Sequence, residues 1–121
     1  MRYVIKGDPI PLSKHKSTSS TLWDKMRENK RFYSISLENQ QNNKPLPYTP
    51  IEMNIIFYMP PDKDEEKSLY HDSKPTLISL INFIEAVAVG TIYPNNKILS
   101  SITAKKIYDY NPRTEIIINE L

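Results

Sequence analysis

Residues 51–60 read IEMNIIFYMP, and their side chains alternate, with Ile51, Met53, Ile55 and Phe57 on one parity and Glu52, Asn54, Ile56 and Tyr58 on the other. A period of two marks a strand with one face buried. The period changes at 76–89, TLISLINFIEAVAV, where Leu77, Leu80, Ile81, Ile84, Val87 and Ala88 share one face of a helix. Pro75 and Thr76 suit the start of that helix, with Thr76 as its cap or in its first turn, and Gly90 suits its end. Ile78 falls well to the side of the stripe, so it is half-exposed or covered by something else. No acid occupies the first two turns.

Working outward, RYVIKGDPIPL (2–12) begins as a short strand, Tyr3 to Ile5, stopped by Gly7 and two prolines. SKHKSTSST (13–21) is a polar loop. DKMRENKRFYSISLENQQ (24–41) forms a helix with Asp24 at its cap or first turn. Met26, Phe32 or Tyr33, and Leu37 make its apolar face, and Trp23 anchors it. The Asn/Gln run at 39–43 is the one compositional bias, and the prolines of NNKPLPYTP (42–50) prevent any continuation. The acidic PDKDEEK loop (61–67) separates the strand from the second helix. ILSSITAKKIYDY (98–110) and TEIIINEL (114–121) read as two strands joined at NPR as a hairpin. The expected class is α+β, a two-layer sandwich whose mixed sheet carries its helices on one face, in a single domain over 1–121.

Composition narrows the function. The 121 residues include no cysteine, which excludes disulfides and thiolate metal sites. No apolar run reaches the ~18 residues of a membrane span, and the N-terminus lacks a signal-peptide apolar region, so a soluble cytoplasmic protein is expected. Two glycines leave no room for a Gly-rich phosphate loop, and there is no Walker motif or nucleophile elbow. The net charge is +2, but residues 1–31 hold eight basic residues against three acidic ones. That asymmetry suits a polyanion, nucleic acid above all. The candidate DNA contacts are Lys14, His15, Lys16, Lys25, Arg27, Lys30 and Arg31, with Lys105 and Lys106, which point to opposite faces of their strand. His71 reads as a structural histidine, and Tyr93, Tyr108 and Tyr110 as packing aromatics.

HDSKPTLISLINFIEAV (71–87), then GTIYPNNKI (90–98), TAKKIY (103–108) and PRTEIII (112–118) together resemble the RusA-type Holliday-junction resolvases. VIKGDPIPLSKHK (4–16) resembles that family's opening strand, proline step and basic loop. The family motif reads K-P-D-L-D-N-L-x-K-x-x-x-D-A-L, followed by a glycine, an aromatic and a D-D pair. Its two leading helix acids fall here on Thr76 and Ile78, its asparagine on Ser79, its lysine on Asn82 and its later acid on Ala86, beside Glu85. The D-D pair becomes Asn95 and Asn96, beyond Tyr93. The resemblance implies a Mg²⁺-dependent nuclease acting as a symmetric homodimer on branched DNA. The replaced acids turn that expectation into a pseudoenzyme with no catalytic residues and no cofactor, one that binds branched or duplex DNA. Two alternatives stand beside it. One is an active structure-selective nuclease holding Mg²⁺ through displaced carboxylates, Asp72 and Glu85 with His71. The other is a protein-interaction module of prophage origin.

Overall fold

The computed structural model describes residues 1–12, 20–61 and 69–121. The order of elements is β1 (Arg2–Lys6), α1 (Ser20–Gln41), β2 (Ile51–Met59), α2 (Leu77–Ala88), β3 (Leu99–Tyr108) and β4 (Arg113–Glu120), with one 3-10 turn at Asn96–Ile98. The strands form one mixed sheet in the order β1-β4-β2-β3, and with the two helices this is the α+β class expected. β4 runs antiparallel to both β1 and β2, whereas β3 runs parallel to β2.

β2 is central, and its alternation explains why. The parity of Ile51, Met53, Ile55, Phe57 and Met59 is 0–3% exposed and lies under the helices. Tyr3 and Ile5 of β1 and Ile116 and Ile118 of β4 extend the same buried face. Tyr33 and Leu37 of α1 and Leu80, Phe83, Ile84, Val87 and Ala88 of α2 complete the core. The helices meet where the Tyr33 and Phe83 rings stand edge to face, 5.0 Å between centroids. Each such large side chain contributes ~1.5–3 kcal/mol on burial, so this one face accounts for most of the apolar stabilisation.

The structure corrects several expectations. β3 and β4 are not a hairpin, because β2 lies between them and pairs with both. A parallel β2–β3 pair needs a crossover, and α2 supplies it. The chain then turns at 109–112 around the end of β2, where the Asp109 N–H donates to the Met59 carbonyl at 2.9 Å. α1 starts at Ser20, so Asp24 is neither cap nor first-turn acid. Of the pair left open, Tyr33 is buried and Phe32 is 59% exposed. Phe83 joins the α2 stripe, which is wider than the expected six residues. Tyr110 is 94% exposed and packs on nothing.

The Asn/Gln run closes the other edge of the sheet. The Gln40 carboxamide accepts from the Val4 N–H and donates to the Val4 carbonyl, both at 2.8 Å, as a neighbouring strand would. Gln41 takes the Tyr3 hydroxyl and donates to the Lys44 carbonyl at 2.7 Å. Asn42 and Asn43 then adopt φ of 51° and 59°, left-handed conformations that asparagine tolerates and that end the helix. Replacing Gln40 by leucine removes both edge bonds together, and an unfolding free energy lower by about 1–3 kcal/mol is expected. Urea denaturation with an unchanged slope measures it; an unchanged midpoint would show that water serves the β1 edge equally well.

Candidate nucleic-acid interface and the front of helix α2

Thr76 caps α2 with extended backbone, φ −72° and ψ 152°, and its Oγ1 accepts from the Ser79 N–H at 3.2 Å. The Thr76 hydroxyl donates to Ser79 Oγ, and the Ser79 hydroxyl donates back to the Thr76 carbonyl at 2.9 Å. The front of α2 is thus closed by neutral hydroxyls. Ile78, next to this cap, is 62% exposed.

A cation reaches this end from the sheet. The β2–β3 register pairs Lys106 with Phe57, which places the lysine on the helix-covered face. Its ammonium donates to the Ser73 and Pro75 carbonyls, each at 2.8 Å. Burial lowers the Lys106 pKa from its ordinary value, while the nearby Asp72 charge acts the other way. The segment before α2 is held against β3 by the Tyr108 N–H to the Leu69 carbonyl and the His71 N–H to the Lys106 carbonyl, both at 3.1 Å. His71 is buried, with its ring 5.1 Å from that of Tyr108 and its Nε2 3.4 Å from Ser73 Oγ, a structural placement.

The other face of the sheet is open and half-buried. Register places Lys6, Arg113, Tyr58 and Ile107 in one row across it, and Val4, Glu115, Ile56 and Lys105 in the next. Arg113 stacks over the Tyr58 ring at 3.7 Å and bonds Glu115 at 2.8 Å, Asp109 at 3.5 Å and the Asn111 carbonyl at 2.9 Å. Glu115 also pairs with Arg2 at 3.1 Å. Burial alone would raise the Glu115 carboxyl, but its bonds to Arg113 and Arg2 outweigh that and hold it below the usual glutamate range. Arg113 is therefore occupied in structure, leaving Lys6 and Lys105 as the exposed ammonium groups of these rows. The period-two parity of the strands carried this signal, and reading the basic residues by their position along the chain missed it.

The endodeoxyribonuclease RusA family model matches residues 6–119. The chain belongs to the RusA family. Comparison with curated proteins finds no match. Family membership makes it a Holliday-junction resolvase-like DNA-binding domain, and no helix among the described residues is long and apolar enough to cross a membrane.

The residues at the RusA motif positions do not fit a magnesium ion. Mg²⁺ takes hard oxygen ligands, usually one or two carboxylates with waters and phosphates. At the front of α2 the oxygens are hydroxyls bonded to one another, Ile78 offers none, and the Ser73 and Pro75 carbonyls already hold an ammonium. Asn95 and Asn96 lie elsewhere. Asn95 Oδ1 accepts from the Lys97 N–H at 2.9 Å in the turn before Leu99, and β3 then rises ~23 Å to Lys106. The displaced carboxylates do not converge either. Asp72 lies by Tyr108 at the front of α2, with the Tyr108 hydroxyl 3.5 Å from Oδ1. Glu85 lies near Tyr93, whose hydroxyl is pushed up to about 12 by burial and then by the Glu85 charge. Among the described residues no three of His, Cys, Asp and Glu form a metal-holding group.

The basic residues expected to meet DNA are only partly brought together. Lys14, His15, Lys16 and the Trp23 side chain lie outside the described residues. On α1, Lys25, Arg27 and Arg31 are exposed and Lys30 is half-buried, but Asp24, Glu28 and Glu38 are exposed on the same helix. Arg27 pairs with Asp24 at 3.8 Å. At roughly 100° per residue, Arg27 and Arg31 follow one another along one side, while Lys25 lies far around from Arg27. This is a mixed-charge surface rather than a basic stripe. Lys105 and Lys106 part to opposite faces, as strand parity requires.

Two outcomes follow from these positions. Glu115→Gln should lower stability at neutral pH by about 1–2 kcal/mol through the loss of charge-assisted bonds. Because the folded carboxyl is held low, the native advantage is full above the ordinary glutamate pKa. It fades as pH falls through the lower folded value, so melts of the two proteins should converge in acid, and a pH-independent gap would contradict the pairing. Ile78→Asp should leave the melt within about 0.5 kcal/mol or raise it, since an acid in the first helical turn is favoured by ~0.3–1 kcal/mol. A loss of several kcal/mol would place Ile78 in the core.

Proposed function

We propose that this chain is a single, catalytically silent RusA domain over 1–121 that binds branched or duplex DNA as a cytoplasmic homodimer. The observation that carries the reading is the front of α2. There a hydroxyl cap and the Lys106 ammonium stand where the family motif has its leading acids. Phosphodiester hydrolysis by a bound metal needs a cation to activate water and to neutralise charge on the phosphate. An ammonium held by two carbonyls supplies one positive charge and no exchangeable water. Losing the acids also removes repulsion of the DNA backbone, so affinity for phosphate survives the loss of chemistry. A symmetric pair of domains suits the two-fold symmetry of a four-way junction.

The test uses a labelled four-way junction with and without Mg²⁺ or Mn²⁺. The expected outcome is a salt-dependent shift and no incision. Each phosphate contact contributes about −0.9 to the slope of log K against log salt on duplex DNA, so Lys14→Ala with Lys16→Ala should weaken binding and flatten the slope. Specific metal-dependent incision abolished by Asp72→Asn or Glu85→Gln would establish the nuclease instead. No shift at low salt would leave the protein-interaction reading.

A further inference from the structure

Three stretches of backbone lie on the free sides of the sheet's edge strands, and two are closed. Gln40 covers β1 at Val4. Residues 69–71 cover the C-terminal part of β3, through the bonds to Lys106 and Tyr108 and a bridge between Tyr70 and Ile107. The rest of β3, from Leu99 to Ala104, pairs with β2 on one side. Among the described residues no backbone bond meets its other side. The Lys106 carbonyl and the Tyr108 N–H point away from β2, so by alternation Ala104 and Ile102 also direct their N–H and C=O groups to the open edge. Edge strands are ordinarily guarded by charge, proline or a covering segment. LSSITA has no charge and no proline, and Ile102 is 40% exposed.

We infer that this open edge is where two copies of the chain join, β3 against β3 in antiparallel register about a two-fold axis through Ile102. The inference rests on the homodimer reading and adds its surface. An antiparallel strand pair with itself is isologous and closes at two copies. With the axis at Ile102, each Ile102 exchanges N–H to C=O bonds with the partner copy's Ile102, and Ala104 faces the partner copy's Ser100. Pairing then uses only the open segment of both strands. A register centred at Ala104 would bring Ile102 opposite Lys106, whose carbonyl is already taken by His71. Side chains match as well: Ile102 meets Ile102 on the helix-covered face, and Ser101 meets Thr103 on the other. The two sheets become one continuous sheet of eight strands.

The absence of cysteine gives a direct test. In a hydrogen-bonded antiparallel pair the Cα atoms are about 5.5 Å apart, within disulfide range. Ile102→Cys should therefore cross-link to itself rapidly under mild oxidation. Thr103→Cys should not, because its own copy lies two residues out of register. Mixed Ser101→Cys and Thr103→Cys proteins should form the heterodimer. By sedimentation the parent should have twice the mass of the chain, and Ile102→Lys half that of the parent, with unchanged far-UV dichroism. A monomeric parent overturns the inference, as does a dimer that survives Ile102→Lys, or cross-linking no faster at 102 than at 103. Should Ile102→Lys fail to fold, the cysteine series still decides. Junction binding separates the two readings. A monomer that shifts DNA overturns this interface alone, and a dimer cross-linked through position 102 that binds none upholds the interface while the DNA reading fails.

Discussion

The placement of β2 between β3 and β4 is the constraint on which the rest of the structure depends. One strand pairs antiparallel with β4 and parallel with β3, and the parallel pair obliges the chain to cross over through α2. That crossover lays Leu80, Phe83, Ile84, Val87 and Ala88 on the sheet. It also brings the segment before α2 alongside the far end of β3. Lys106 reaches the front of α2 for the same reason: the register opposite Phe57 turns it to the helix side, where the Ser73 and Pro75 carbonyls wait.

The neutral front of α2 is therefore a completed piece of structure rather than a pocket with groups missing. Thr76 and Ser79 satisfy the first turn between them, and the ammonium takes the carbonyls that precede it. A divalent ion placed there would face a fixed positive charge within a few ångströms, with no carboxylate to offset it. Reversing that needs more than returning acids at positions 76 and 78, because the lysine and its partners belong to the packing of the 69–76 segment against β3. Asn95 and Asn96 stand at the other end of the strand, engaged in a turn of their own.

Much of the fold was legible in the sequence, because the alternation at 51–60 and the helical stripe at 76–89 each record burial on one face. Pairing order was not. β3 and β4 are adjacent in the chain with a turn between them, and local signals favour a hairpin; only the demand of β2 for neighbours on both sides separates them. Phe32 and Tyr33 could not be told apart from sequence, since helix rotation is set by the Phe83 contact. At the site, the loss of the acids was readable residue by residue. The role of Lys106 was not, because its partners are backbone carbonyls more than thirty residues away, which no side-chain pattern reports. The Gln40 edge cap was hidden for the same reason: a run of Asn and Gln has no periodicity to read.

The central claim is that the front of α2 has exchanged a divalent metal for a lysine ammonium, and Mn²⁺-induced broadening of backbone amide resonances in the DNA-free protein tests it most directly. The account predicts that Thr76, Leu77, Ile78 and Ser79 broaden no more than other exposed amides as Mn²⁺ is raised to millimolar levels. Selective loss of those signals at low Mn²⁺, relieved by Mg²⁺, would contradict it.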